Sequence, residues 1–155
     1  MSDIKTYIAS KLDMVCHLFS KDMEALSHDQ LNHSASGCAR TAYDVAFEIV
    51  TTNQLFAKIV RGEDIEPISF EGWIIAPDEF KSKEGAINAV RASFEDMKAS
   101  LLACPEDELT ATIDTPIGPK SRADIAFMSV YHGGYHSGQL NYIQTLHGDG
   151  AMHWM

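Results

Sequence analysis

The sequence predicts an all-α protein, a four-helix bundle in which a long crossover joins the second helix to the third. Three observations carry that prediction. Four long segments repeat apolar residues at three- and four-residue steps. Polar, glycine or proline residues punctuate the joints between them. One connection, from Glu63 to Lys81, is long and too apolar to be a solvated linker.

The first helix is expected from Asp3 to Leu26, on the stripe Ile4, Tyr7, Ile8, Leu12, Val15, Leu18, Phe19, Met23 and Leu26, with Ser2 and Asp3 as its cap. A polar stretch, residues 27–34, ends it. Thr41 to Asp44 has the form of a capping box and starts the second helix, which runs to Arg61 and stops at Gly62. Its stripe is Ala42, Val45, Ala46, Ile49, Phe56 and Val60. The crossover follows, carrying Phe70, Trp73, Ile74 and Ile75, and reads either as packing over the bundle end or as a lid.

The third helix is expected from Ser82 to Cys104, with Ile87, Val90, Phe94, Met97 and Leu101 as a narrow bundle seam, and Pro105 stops it. Between Glu106 and Lys120 the chain is loop-like, with a possible short strand at Leu109 to Ile113. Ser121 to Asp124 caps the fourth helix, which reaches His147 before Gly148. The tail beyond it is expected to fray.

The chain, residues 1–155, reads as one domain, long enough to bury a core without staples. A formal net charge of −10 argues against nucleic acid or an anionic membrane as partner. With no signal-peptide pattern and no apolar run of membrane-spanning length, the expected location is the cytoplasm. The cysteines Cys16, Cys38 and Cys104 form no C-x-x-C pair, which excludes a zinc ribbon or a thioredoxin-like site.

The chemistry concentrates in the run from Tyr131 to Ile143. Residues four apart stack on one helix face, so His132 and His136 point the same way, on a stripe shared with Ile125, Met128, Ile143 and Leu146. Gln139 lies between them in helical angle. Buried imidazoles need partners, and a metal ion is the sharpest candidate; a pair of core histidines bonded to other side chains is the competing reading. A catalytic ion needs a third protein ligand. Glu48 sits at the edge of the second helix's stripe with no basic residue one turn either way, so its carboxylate wants a cation. His17 and His28 are the alternatives, while His33, His147 and His153 read as surface residues.

The signature His132-x-x-x-His136-x-Gly138-Gln139, followed by Leu140 to Ile143, resembles that of the DinB-like (YfiT-like) superfamily of metal-dependent proteins. The Pro/Gly loop at Asp114 to Gly118 and the helix order resemble it as well. In that family the third ligand is usually a histidine two turns after a Ser or Thr cap, and the matching position here is Glu48. The resemblance therefore implies a divalent metal on Glu48, His132 and His136. A two-histidine, one-carboxylate set suits zinc first, and nickel, iron or manganese also. Gln139, Thr52, Ser129 and Trp73 are the expected surroundings, as pocket wall or as partners of the ligands.

The resemblance also implies one of two chemistries, hydrolysis or a transfer or isomerisation that uses a low-molecular-weight thiol. The alternative is a non-catalytic stress-response or small-molecule-binding protein with a structural or vestigial metal. A small-molecule substrate or thiol is the expected partner, together with a second copy of the chain in a homodimer through surfaces that include Trp73, Ile74, Ile75, Trp154 and Met155. Gly133 and Gly134, costly in a helix interior, suggest close approach of another helix or a ligand. Tyr135 and Tyr142 are expected in the core.

Overall fold

The computed structural model describes residues 3–66, 72 and 74–155. Ser2, Phe70 and Trp73, named above as cap, crossover and pocket residues, lie outside them. Among the described residues the fold is mostly helical: α1 (Asp3–Ala25), α2 (His28–Leu31), α3 (Ala42–Arg61), α4 (Lys83–Ala103) and α5 (Arg122–Leu146). Four of these are long and α2 is a single turn. A two-stranded antiparallel hairpin, β1 (Thr112–Ile113) with β2 (Lys120–Ser121), leads into α5. No helix among the described residues is long and apolar enough to cross a membrane.

The expected caps form. Thr41 Oγ1 accepts from the Asp44 amide at 3.1 Å while Asp44 Oδ2 accepts from the Thr41 amide at 3.0 Å. Ser121 and Asp124 repeat that reciprocal pair at α5. Gly62 closes α3 in the left-handed region at φ 73°, which a glycine adopts without a Cβ clash. Three helix C-termini are met by cations from distant segments, which suits their exposed carbonyls and partial negative charge. Lys83 Nζ donates to the Leu26 carbonyl at 2.6 Å, Arg122 Nε to that of Val60 at 3.1 Å, and the buried Lys5 to those of Leu102 and Cys104.

Each of α1 and α3 packs against both α4 and α5, around a core that includes Phe19, Met23, Tyr43, Ile49, Phe94, Met97 and Ile125. Full burial of such side chains stabilises by about 1.5–3 kcal/mol each. Arg122 beside Val60, and Glu48 opposite His132 and His136, show that α3 and α5 run antiparallel.

Several expectations are corrected. The polar stretch after α1 holds a helical turn, because Ser27 and Gln30 form a capping box and Leu31 is fully buried. The strand expected at Leu109 to Ile113 shortens to two residues and pairs with a second one that has too few residues to show a period. Ile4, Tyr7 and Leu146, placed on the core stripes, are exposed, as are Tyr135 and Tyr142. The last three share a flank of α5 that faces the first connection instead of the core.

The tail does not fray either. Gln144 Nε2 donates to the Ala151 carbonyl at 2.7 Å, and the indole N–H of Trp154 donates to Asp22 Oδ1 at 2.7 Å. The described end of the crossover packs on the start of α3. The Ala76 amide donates to Asp44 Oδ1 at 2.8 Å, and Phe80 meets Phe47 edge-on with ring centroids 5.0 Å apart.

Candidate metal centre

Glu48 lies a turn and a half into α3, and the capping box at Thr41 sets the phase that turns it towards α5. His132 and His136 lie in the middle of α5, where the four-residue spacing stacks their rings edge-on at 4.4 Å between centroids. The three residues meet. The two Nε2 atoms are 2.9 Å apart, and Glu48 Oε1 is 3.4 Å from that of His132 and 3.6 Å from that of His136. Ligands in a tetrahedron at about 2.0–2.1 Å from zinc are roughly 3.3 Å from one another.

The tautomer of His136 follows from its neighbour. Gln139 Nε2 donates to the Tyr135 hydroxyl at 3.1 Å, which turns Oε1 to the imidazole. His136 Nδ1–H therefore donates to Gln139 Oε1 at 2.7 Å, leaving the Nε2 lone pair aimed at Glu48 and His132. Burial, with the neighbouring His136 and the Arg40 charge, lowers the pKa of His132 to about 4. Burial also lowers that of His136 to about 4, against the Gln139 bond that raises it. Both rings are neutral at neutral pH, the form in which imidazole binds a metal.

Arg40 is the residue that local sequence reasoning missed. Its Nη1 donates to Glu48 Oε2, and both side chains are largely buried. The expectation that Glu48 lacks a cation is thus corrected. Arg40 precedes Glu48 by eight residues, just ahead of the Thr41 cap, so a search one turn either way does not reach it. The carboxylate is divided: Oε2 is held by Arg40 and Oε1 is presented to the histidines.

The other named residues are dispersed. Thr52 is half-buried one turn beyond Glu48, with no hydrogen bond to the triad. Ser129 is fully buried one turn before His132, and neither its Oγ nor His132 Nδ1 has a partner. His28 Nδ1 is 2.8 Å from the Tyr43 hydroxyl, and His17 Nε2 is 3.1 Å from the Trp154 carbonyl oxygen. His33 stacks edge-on against His147, and His153 pairs with Asp149 at 2.8 Å. Among the described residues, one group of His, Cys, Asp and Glu has the spacing to hold a metal ion, and it is Glu48, His132 and His136, whose ligand atoms all lie within 4.8 Å. Cys16 and Cys104 are free thiols whose pKa values burial raises, so they are poor nucleophiles.

Fold and site together define a helical protein with a two-histidine, one-carboxylate cluster between antiparallel helices. A family model matches residues 11–140, and the chain belongs to the DinB superfamily. Among solved structures it is similar to a crystal structure described as a conserved protein from Enterococcus faecalis. That likeness has a TM-score of 0.75 at 17% identity, covers 96% of this chain and 100% of the other, and shows the fold. No curated protein matches the sequence.

Proposed function

We propose that this chain is a metal-dependent enzyme that holds one divalent ion, zinc first, on Glu48 Oε1, His132 Nε2 and His136 Nε2. The observation that carries this reading is the convergence of three ligand atoms from two helices, within 4.8 Å, with no fourth protein ligand among the described residues. Three protein ligands with one open position is the pattern of catalytic ions, whereas structural sites close with four. Nickel, iron and manganese suit the same donors.

When bound, such an ion lowers the pKa of a water or thiol at its open position. The chain's own residues supply orientation. Gln139 fixes the His136 tautomer and Arg40 holds Glu48. Among the described residues, no side chain bonded to the triad is a base near neutral pH: Arg40 is a permanent cation and Gln139 a neutral amide. A thiol is far more acidic than water and is deprotonated outright on such an ion, so it depends less than water on a neighbouring base. Transfer from a low-molecular-weight thiol therefore suits the site better than hydrolysis, which remains the second reading.

Metal analysis of protein purified without a histidine tag should find about one divalent ion per chain. The double change His132→Ala with His136→Ala should abolish it, and stoichiometric metal in that variant would remove the assignment. Titrating loaded protein with 2-mercaptoethanol, in buffers of different ionisation enthalpy, should show proton release on thiol binding. Heat without proton release, or none at all, would favour hydrolysis.

A further inference from the structure

The three glycines of α5 differ in what surrounds them. A Cβ at Gly133 would lie 2.9 Å from both Phe94 Cζ and Val15 Cγ2, so close packing requires glycine there. A Cβ at Gly138 would meet nothing within 4 Å. A glycine inside a helix costs about 1 kcal/mol relative to alanine, and at Gly138 no packing neighbour explains it. The space it leaves opens into a cavity of about 340 Å³.

That cavity has two kinds of wall. Tyr142, Ile143 and Leu146 present carbon, and Arg40 and Gln139 reach from its lining to the triad itself. Arg40 touches Glu48, and Gln139 touches His136. A cavity of this size is at the low end of small-molecule sites, and an apolar pocket with a few convergent polar groups is their usual form.

We propose that this cavity binds a small organic acid with an aromatic or branched apolar body, its carboxylate turned to the Arg40 and Gln139 end beside the triad. The sign of the head group rests on the metal reading given above. Glu48 and Arg40 cancel, and Asp44 also acts on Arg40, so a divalent ion with neutral histidines leaves a surplus of one positive charge. Gly138 is then a specificity-determining residue, because any side chain there fills the space the body of the acid needs.

The test compares 3-phenylpropanoate, acetate and the neutral 3-phenylpropanol as probes, by calorimetry on zinc-loaded and on metal-free protein. In loaded protein, 3-phenylpropanoate should bind about ten- to a hundredfold more tightly than acetate, the worth of burying a phenyl group. It should also bind more tightly than the alcohol. Gly138→Leu should erase the preference over acetate with metal stoichiometry unchanged, while Gly134→Leu, on another face, should keep it. Gly138→Ala should lose part of it, which keeps the test valid if the leucine variant fails to fold.

Equal binding of acetate and 3-phenylpropanoate, or an unaltered preference in both Gly138 variants, overturns the proposal. Should the protein take up no metal, the metal reading fails separately. The cavity is then judged on metal-free protein, where both phenyl probes must still outbind acetate and Gly138→Ala must weaken them.

Discussion

Two carboxylates flank α5, the half-buried Glu48 on α3 and the buried Asp22 on α1, and the helix reaches them through adjacent residues: His136 faces Glu48, and Ser137 faces Asp22. Glu48 has a cation on one oxygen and the nitrogens of two neutral imidazoles near the other. Asp22 is met by donors alone. Ser137 Oγ donates to Oδ2, Trp154 Nε1 donates to Oδ1, and Asn141 adds a further side-chain hydrogen bond. Burial raises the Asp22 pKa, the hydrogen bonds opposing it.

The difference teaches how to separate a latch from a site. At Asp22 lone pairs meet hydrogens, and the polar groups satisfy one another. At Glu48 three acceptor-capable atoms converge with too few protons among them, which is tolerable in a wet or ion-filled space and costly in a dry one. Buried polarity is common to both; an excess of acceptors belongs to the centre.

The largest expected effect tests that excess. Glu48→Gln should weaken zinc affinity by more than about a hundredfold, beyond the roughly 10–100-fold loss expected for the supporting changes Gln139→Leu and Arg40→Ala. Asp22→Asn and His17→Ala should leave the affinity unaltered, as measured by competition with a chromophoric chelator. A comparable loss in Asp22→Asn would dissolve the distinction between the two carboxylates.

Stability should reverse the ranking. Asp22→Ala strands the Ser137 hydroxyl and the Trp154 indole, and should cost about 2–4 kcal/mol in urea unfolding of the metal-free protein. Glu48→Gln should cost less, since its carbonyl oxygen still accepts from Arg40. If Glu48→Gln proved the more destabilising, Glu48 would be the structural member of the pair.

Acid should act on the two clusters with opposite signs. The histidines are lowered to about 4 in the fold from an ordinary value of 6.5, so between those values the unfolded chain binds more protons. Their contribution is complete above pH 6.5 and is lost as pH falls towards 4. The Asp22 carboxyl is raised above its ordinary 3.8, so the folded chain holds that proton longer. Its contribution is present below the ordinary carboxylate range and is lost as pH rises through the raised value. Replacing both histidines with glutamine should flatten the metal-free stability profile between pH 6.5 and 4, and Asp22→Asn should steepen it. An unaltered slope in the histidine variant would mean that the rings are protonated in the fold.

The smallest effects separate neighbouring glycines between the two clusters. Gly133→Ala, with Phe94 and Val15 in its way, should destabilise by about 1–3 kcal/mol. Gly134→Ala meets nothing within 4 Å and should stabilise by about 1 kcal/mol. Thermal unfolding of the two variants checks both signs.

Periodicity, caps and breakers are local, so the four long helices, the Gly62 stop and the Thr41 and Ser121 caps could be read from residues 3–4 positions apart. The same rule placed His132, His136 and Gln139 on one face and Glu48 at the edge of a stripe, and the family resemblance, counted from the Thr41 cap, pointed to Glu48 as the third ligand. What the chain order hides is which flanks meet. Arg40 on Glu48, the Asp22 latch on Trp154, the exposure of Tyr135, Tyr142 and Leu146, and the cavity at Gly138 were decided by tertiary structure. A helical repeat defines angles around each axis, but long side chains reach across helices and along them by two turns, and only packing determines what they find there.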